Sequence, residues 1–230
     1  MFTVTPKKPG ENNKEYSYRI IKDGIMSLQL EPGQAISEIE LAEQLQISRT
    51  PIREVMAKLK EENLVEVQPQ VGTYIAKIKT QLIEEATFMR YTLEKEVLKR
   101  SCSSLSSATL VELKSIVLLQ EALLDQEGME LEFHRLDTDF HFRIFQENGM
   151  EHVWGAITRL STHYNRLRLL SEIENSFANA IEQHKQIIDV IERQAVDEVE
   201  DIIYQHVIEP QKAWEKLTNS GSPYLHYFVK

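Results

Sequence analysis

Three histidines and one aspartate occupy positions where predicted helices are expected to carry apolar residues. In LDTDFHFRIF, Asp137 and His141 are four residues apart and share one helix surface, next to an apolar stripe that begins at Phe133. His184 and His206 stand within apolar stripes of two later helices. Burying four titratable groups is costly unless something pairs them, and a divalent cation accepts neutral imidazole nitrogen and carboxylate oxygen together. The pattern therefore favours a metal site, with a hydrogen-bonded polar core as the alternative.

A pair of arginines one helical turn apart forms the second candidate site. In SRTPIREVMAKL, which begins at Ser48, the apolar residues share one side of a helix while Arg49, Thr50 and Arg53 share the other. The Ser48 hydroxyl can cap this helix, and Pro51 is tolerated in a first turn. Two guanidinium groups beside the positive end of a helix suit phosphate oxygens and guanine edges. This segment is predicted to be a DNA-recognition helix.

The neighbouring segments predict a winged helix-turn-helix around these arginines. Ser37 and Glu40 have the spacing of a capping box at the start of a shorter helix, which a tight turn joins to the Ser48 helix. The following run, LVEVQPQVGTYIA, alternates in the β manner on both sides of a turn that contains Gly72, and predicts a hairpin wing. Upstream, we expect a helix from Tyr16 to Leu28 and a loose polar arm over residues 1–13.

The rest of the chain is predicted to be entirely helical. No proline occurs between Pro69 and Pro210, and apolar residues recur every three to four positions. The fold class is therefore mainly α, with a winged helix-turn-helix domain at 1–79 and an all-helical bundle at 80–230. About six helices are expected in the bundle, at 80–101, 107–127, 129–147, 150–172, 175–193 and 195–218.

Composition excludes several classes of protein. With 42% hydrophobic and 27% charged residues, and no apolar run near the roughly 18 residues of a membrane span, a membrane protein is excluded. The first residues, MFTVTPKKPGENNKE, lack an apolar signal core, and the single cysteine, Cys102, cannot form an intrachain disulfide. We therefore expect a cytoplasmic protein.

The net charge of −10 is unevenly distributed along the chain. Residues 1–79 hold 11 Lys and Arg against 11 Asp and Glu, whereas residues 80–230 hold 15 against 25. The predicted DNA-binding part is thus neutral overall and can bind phosphates through a local basic face, while the acidic part discourages indiscriminate coating of DNA.

The segment Glu31 to Ala76 resembles the winged-helix domain of the GntR family of bacterial transcription regulators. It carries the family's PG pair, the E-x-x-LA motif as EIELA, the SRTPVREAL motif as SRTPIREVM, a Leu-rich tail and a glycine in the wing. The resemblance implies that the arginine-bearing face of the Ser48 helix touches DNA and that Gly72 lets the wing backbone approach the minor groove. The candidate DNA-binding residues are Ser48, Arg49, Thr50, Arg53 and Gly72.

Residues 80–218 resemble the C-terminal domain of the FadR branch of that family, called FCD, in its metal-binding form. The pattern is Asp-x-x-x-His on one helix and one histidine on each of the last two helices, and Asp137, His141, His184 and His206 match it. The resemblance implies a bound divalent ion, zinc or nickel, with manganese or iron as the alternatives. It also implies that a small carboxylic acid acts as effector and occupies open positions on the metal.

Two residues are candidates for contacts with that effector. Arg90 matches the family's arginine on the first helix of the domain, although an ordinary i, i+4 ion pair with Glu94 is the alternative. His134 lies one turn before Asp137 and can line the same pocket. Arg166 and Arg168 can also reach this pocket, but a solvated helix face is the favoured interpretation for them, as it is for His152, His163 and His226.

These features predict a ligand-responsive transcription regulator that binds a twofold-symmetric double-stranded DNA operator as a homodimer. The alternative is a metal-dependent enzyme fused to a winged helix, because three histidines and an aspartate also describe catalytic metal sites. The evident general base near the ligands is Asp139, which helix geometry places about 200° away from Asp137. We therefore expect a regulator and no enzyme.

Overall fold

The computed structural model describes residues 2–229 and, for Ala213, the backbone alone. The chain divides into two compact units: unit 1 combines residues up to Thr80 with the segment from Ser220 onwards, and unit 2 covers Gln81–Asn219. The segment from 220, which the sequence analysis assigned to the helical domain, thus groups with the DNA-binding unit. The outer limits of the predicted domains, residues 1 and 230, lie outside the described residues.

The described residues of unit 1 form three α-helices, a short 3-10 helix at Leu225–Tyr227 and a small antiparallel sheet. Its strands are ordered β1-β3-β2, and Tyr74 of the central strand pairs with Ala35 on one side and Glu66 on the other. The two-residue strand β1 was not predicted, because it is too short to show an alternating pattern. The elements are α1 (Asn13–Met26), β1 (Ala35–Ile36), α2 (Glu38–Leu45), α3 (Arg49–Glu61), β2 (Val65–Gln68) and β3 (Gly72–Ile75).

Two predicted caps differ from the structure. Ser37 does accept hydrogen bonds from the backbone N–H groups of Ile39 and Glu40, at 3.2 and 3.5 Å, but these form only the first half of a capping box. Ser48 occupies the N-cap position of α3 in an extended conformation, and its hydroxyl makes no capping hydrogen bond. The apolar face of α3 is completely buried at Ile52, so packing rather than a cap fixes this helix.

The first residues of the chain are ordered rather than loose. Phe2 is buried in the core of unit 1, which gives the arm the apolar anchor that its polar composition conceals. The Arg19 guanidinium binds Glu11 through Nε at 2.7 Å and also donates to the Thr5 hydroxyl. A full capping box joins Asn12 to the residue three positions later and starts α1. These contacts correct the prediction of a loose arm for residues 2–13; residue 1 lies outside the described residues.

The C-terminal segment pairs with the residues that follow the wing. Ile78 and Phe228 form a parallel bridge: the Ile78 N–H donates to the Tyr227 carbonyl at 2.8 Å, and the Val229 N–H donates to the Ile78 carbonyl at 3.0 Å. Ile78 and Phe228 are both buried. Unit 1 is therefore built from both ends of the chain.

The described residues of unit 2 form helices joined by turns, without a strand, around a core of Leu, Ile, Val and aromatic side chains. None of the helices in the described part of the chain is both long and apolar enough to cross a lipid bilayer. The α-helices are α4 (Thr80–Ser104), α5 (Ser107–Glu121), α6 (Glu130–Glu147), α7 (Glu151–Leu160), α8 (Thr162–Glu174), α9 (Ala178–Glu192), α10 (Val199–Ile203) and α11 (Gln211–Thr218).

Two of the six predicted helices are interrupted. The predicted helix 150–172 breaks at Ser161, where the sequence has no glycine or proline. Three consecutive residues at the start of α8, 162–164, are buried, so this helix is packed on more than one side. Tertiary packing therefore sets its direction. The predicted helix 195–218 contains a π-helix at Tyr204–Ile208 and ends before Pro210, after which α11 begins. Proline has no N–H to continue the helix, and the π turn widens the backbone just before it.

Candidate metal centre and nucleic-acid interface

The four predicted metal ligands converge in unit 2. Asp137 and His141 come from α6, His184 from α9, and His206 from the π-helix, and one ligand atom from each lies within 4.8 Å of the others. All four side chains are buried. The long-range packing of three chain segments thus assembles the cluster that the spacing within each segment predicted.

The imidazole nitrogens face a common centre. His206 Nε2 lies 3.0 Å from His141 Nε2, and His184 Nε2 lies 3.1 Å from an Asp137 oxygen. The latter pair lacks the alignment of a hydrogen bond, and His184 Nε2 has no hydrogen-bond partner among the described residues. Ligand atoms that share a cation at about 2.1 Å stand roughly 3–4 Å apart. A buried lone pair aimed at such a cluster fits a metal ion.

Each of the three histidines places its other ring nitrogen, Nδ1, close to a side-chain oxygen, and for His184 and His206 this contact is a hydrogen bond. An oxygen that accepts a hydrogen bond from Nδ1–H keeps the proton on Nδ1 and leaves the Nε2 lone pair for the centre. Sequence reasoning missed the two glutamines, which are polar residues in apolar stripes and become meaningful only once helices are packed. The pairs are His141 with Glu94 at 3.1 Å, His184 with Gln120 at 2.8 Å, and His206 with Gln183 at 3.0 Å.

The electrostatics of the cluster favour the protonation states of a donor set. Burial lowers the pKa of His184, and lowers the pKa of His206 well below its ordinary value. Burial alone raises the pKa of Asp137, but the Arg168 guanidinium, together with the neighbouring His184 and His141, holds that pKa well below its ordinary value. Neutral imidazoles and an ionised carboxylate are the forms that bind a divalent cation.

Arg168 is a central residue of this cluster rather than part of a solvated face. Its two Nη groups each lie 2.6 Å from an oxygen of Asp137, and its Nε lies 3.0 Å from Glu172. Arg166 is fully buried, with Nη2 3.1 Å from Nδ1 of His163. The prediction of a solvated face was wrong for these three because α8 packs on several sides; His152 and His226 are exposed as expected.

Both predicted effector residues are held by carboxylates. The Arg90 side chain is 4% exposed, binds Glu94 at 2.6 Å and lies over the Tyr164 ring, so it makes the i, i+4 pair that the sequence left open. His134 Nδ1 lies 3.2 Å from Glu172. Neither is among the described residues lining the cavity of about 240 Å³ beside the cluster. The cavity is lined by Arg168, Glu172, Gln183, His206, Tyr164 and Trp214, among others.

The predicted DNA-binding residues of unit 1 lie on its surface. Arg49 and Arg53 have side chains 51% and 64% exposed, and Ser48, Thr50 and Gly72 are exposed as well. Gly72 begins β3 without a positive φ; the left-handed residue of the wing turn is Gln70, at φ 63°. The close approach predicted for Gly72 therefore depends on its missing side chain and not on an unusual backbone conformation.

Comparisons with known proteins decide the family. Residues 14–75 match the bacterial regulatory proteins of the gntR family, and residues 85–209 match the FCD domain. The chain belongs to the GntR family. It is 26% identical over 226 residues to the HTH-type transcriptional repressor RspR of Escherichia coli K12, covering 98% of this chain and 99% of the repressor. An uncharacterised HTH-type transcriptional regulator of Streptomyces ambofaciens is 32% identical over 184 residues, 79% of this chain and 76% of that protein.

Solved structures share the fold of this GntR-family chain. Escherichia coli McbR/YncC matches with a TM-score of 0.77 at 17% identity, over 91% of this chain and 100% of that one. A GntR regulator from Rhodococcus sp. RHA1 matches with a TM-score of 0.71 at 15% identity, over 88% and 97%. The family and the relatives are transcription regulators, not enzymes, so the chain is a DNA-binding transcription regulator of the GntR/FCD type.

Proposed function

We propose that this regulator responds to a small carboxylic acid bound at a divalent metal ion between the helices of unit 2. The observation that carries the proposal is the converging donor set: three imidazole nitrogens and one carboxylate, buried together, with His184 Nε2 lacking a hydrogen-bond partner among the described residues. A nitrogen-rich set with one carboxylate suits zinc or nickel, and also accommodates manganese or iron.

Asp137, His141, His184 and His206 are the proposed metal ligands. The side-chain oxygens of Glu94, Gln120 and Gln183 lie beside the three Nδ1 atoms and, in this proposal, keep the rings oriented toward the centre. Four protein ligands complete a tetrahedral site, while a five- or six-coordinate ion offers open positions for a carboxylate oxygen. The adjoining cavity, which His206 itself lines, gives a small acid access to that side of the cluster.

The effector's charge is balanced by an arginine of the cavity wall. Arg168 lines the cavity and binds Asp137, whereas Arg90 is paired with Glu94 and is not among the described residues that line the cavity. We therefore transfer the anchoring role from Arg90 to Arg168. His134 acts indirectly in this proposal, through its contact with Glu172, which also binds the Arg168 Nε.

On the DNA side, we propose that Ser48, Arg49, Thr50 and Arg53 of the α3 start and Gly72 of the wing contact the operator. One short helix reads only a few base pairs, so the proposed active form is a homodimer on a twofold-symmetric site. Because it acts on chromosomal DNA, we place the protein in the cytoplasm. Arg49→Ala and Arg53→Ala are each expected to cost about 1–3 kcal/mol of operator binding without unfolding the protein.

The direct test combines metal analysis with DNA binding. Protein purified without a metal-affinity step is analysed for bound metals, then titrated onto DNA flanking its own gene, with and without a panel of small carboxylic acids. We expect stoichiometric metal, and an acid that shifts DNA affinity by the equivalent of about 1–3 kcal/mol. His206→Ala should lose both properties, whereas the exposed His226→Ala should keep them. Absence of bound metal together with no response to any acid contradicts the proposal.

A further inference from the structure

One carboxylate faces both arginines of the proposed DNA-binding surface. Glu38 is the first residue of α2, and its Oε2 lies 3.0 Å from Arg53 Nε and 4.0 Å from Arg49 Nη2. Among the ion pairs of residues 2–229, Glu38 is the acidic partner of either arginine. The Glu38 side chain is 31% exposed, less than either arginine, so both guanidinium groups are more accessible to a ligand than the carboxylate is.

Glu38 contacts Arg53 through Nε and leaves the two Nη groups, which can bind a DNA base, without this partner. The hydrogen bond runs from Nε to the carboxylate, and the described residues provide no hydrogen-bond partner for either Nη group. A guanidinium carries five N–H donors, and its two Nη groups suffice for the paired contact with O6 and N7 of a guanine. Arg53 is therefore held by one edge while the opposite edge stays available.

A neighbouring carboxylate changes which part of DNA an arginine chooses. A free, flexible arginine at a helix start readily binds phosphate, which demands little directional precision. A carboxylate at the same place already neutralises part of the arginine's charge and repels phosphate. It also orders a long side chain before binding, which reduces the rotamer entropy lost when a base is contacted.

We propose that Glu38 is a positioning residue that directs Arg53 to a guanine edge and thereby sets the base specificity of α3. Arg49, whose Nη2 is a full 4.0 Å from the same carboxylate, remains available for the phosphate backbone. The inference rests on the proposed DNA contacts of α3 and assigns different tasks to its two arginines.

The substitution Glu38→Gln tests the proposal because it removes the charge while keeping the size and a hydrogen-bond acceptor. The wild-type protein selects its preferred duplex from a random-sequence DNA library. Fluorescence anisotropy then measures affinity for that duplex and for an unrelated duplex at several salt concentrations. The ratio of the two affinities is expected to fall about tenfold, through lost discrimination at one guanine position. Affinity for the unrelated duplex should be equal or higher, because one negative charge is removed.

The matched control is Glu40→Gln, which makes the same change of charge on the same helix turn. Glu40 is exposed and forms no ion pair among those described, so its substitution should leave the affinity ratio unchanged. Arg53→Lys keeps the charge but loses the planar fork, so it should reduce the ratio as Glu38→Gln does. The variant that combines Glu38→Gln with Arg53→Lys should have the same affinity ratio as Arg53→Lys alone, because both changes remove the same contact.

Two results separate this inference from the proposed function. If Glu38→Gln raises affinity for both duplexes equally, or behaves as Glu40→Gln does, the positioning role is overturned while the DNA contacts of α3 stand. If Arg53→Ala binds the selected duplex as tightly as the wild type, the assignment of α3 itself fails. Melting curves of all variants, compared with the wild type, identify any loss of affinity that is caused by unfolding.

Discussion

Asp137→Asn offers a sharp test of the buried cluster in the metal-free protein. The Asp137 side chain is 4% exposed and accepts two short hydrogen bonds from Arg168, so the substitution leaves a buried guanidinium without its closest countercharge. Breaking a buried ion pair costs about 3–5 kcal/mol. Because Arg168 keeps its 3.0 Å contact with Glu172, we expect the lower end, about 3 kcal/mol.

The assay is urea unfolding in the presence of a chelator, followed by tryptophan fluorescence. Both tryptophans of the chain, Trp154 and Trp214, lie in unit 2, so the signal reports the unit that holds the cluster. The midpoint should fall while the denaturant slope stays unchanged. The control is Asp139→Asn, whose half-exposed pair with Arg143 spans 3.5 Å and should cost about 0.5 kcal/mol. If the two variants differ by less than about 1 kcal/mol, the cluster is not held by the Asp137 ion pair as argued.

Three further outcomes are expected. Metal at a hundredfold excess over its dissociation constant should stabilise the folded protein by about 2.7 kcal/mol, seen as a higher melting temperature that chelator reverses; no shift with any of the four candidate metals contradicts the site. In metal-free protein, the lowered pKa of His184 and of His206 means that the unfolded chain binds protons first, so stability should fall as pH drops below about 6.5 in urea titrations. A rise in stability on acidification would refute that sign. Phe228→Ala should lower the free energy of unfolding by about 3 kcal/mol and raise the rate of amide hydrogen exchange at Ile78, whereas Val229→Ala, at an exposed position, should do neither. Equal exchange rates in the two variants would show that Phe228 does not pack in the core of unit 1.

Local patterns in the sequence carried a large part of the fold and the site. The amphipathic segment after Ser48 predicted α3 and its exposed arginines, because a 3.6-residue period separates a packing face from a free one. The four-residue spacing of Asp137 and His141 likewise predicted that both project from one helix surface. Such features depend only on neighbours along the chain, so they can be inferred before any packing is known.

Features created by packing could not be predicted in the same way. Gln120 and His184 are 64 residues apart in the sequence, and they are hydrogen-bonded only because their two helices pack together. No glycine or proline stands at Ser161 to signal the end of a helix, and the helical spacing of apolar residues continues across this position. The burial of Phe2 depends on a core assembled from α1 to α3, which a polar segment composition does not indicate.

The bridge between Ile78 and Phe228 makes unit 2 an insertion within unit 1, and this has a consequence for the order of synthesis. About 150 residues separate the two bridge partners, which a ribosome making 5–20 residues per second completes in roughly 8–30 s. During that interval the helical unit is synthesised, while the DNA-binding unit still lacks the strand-like segment around Phe228. Until Phe228 has been made, the winged helix therefore has an uncovered Ile78 edge, so the DNA-binding unit is completed only after the helical unit has been synthesised.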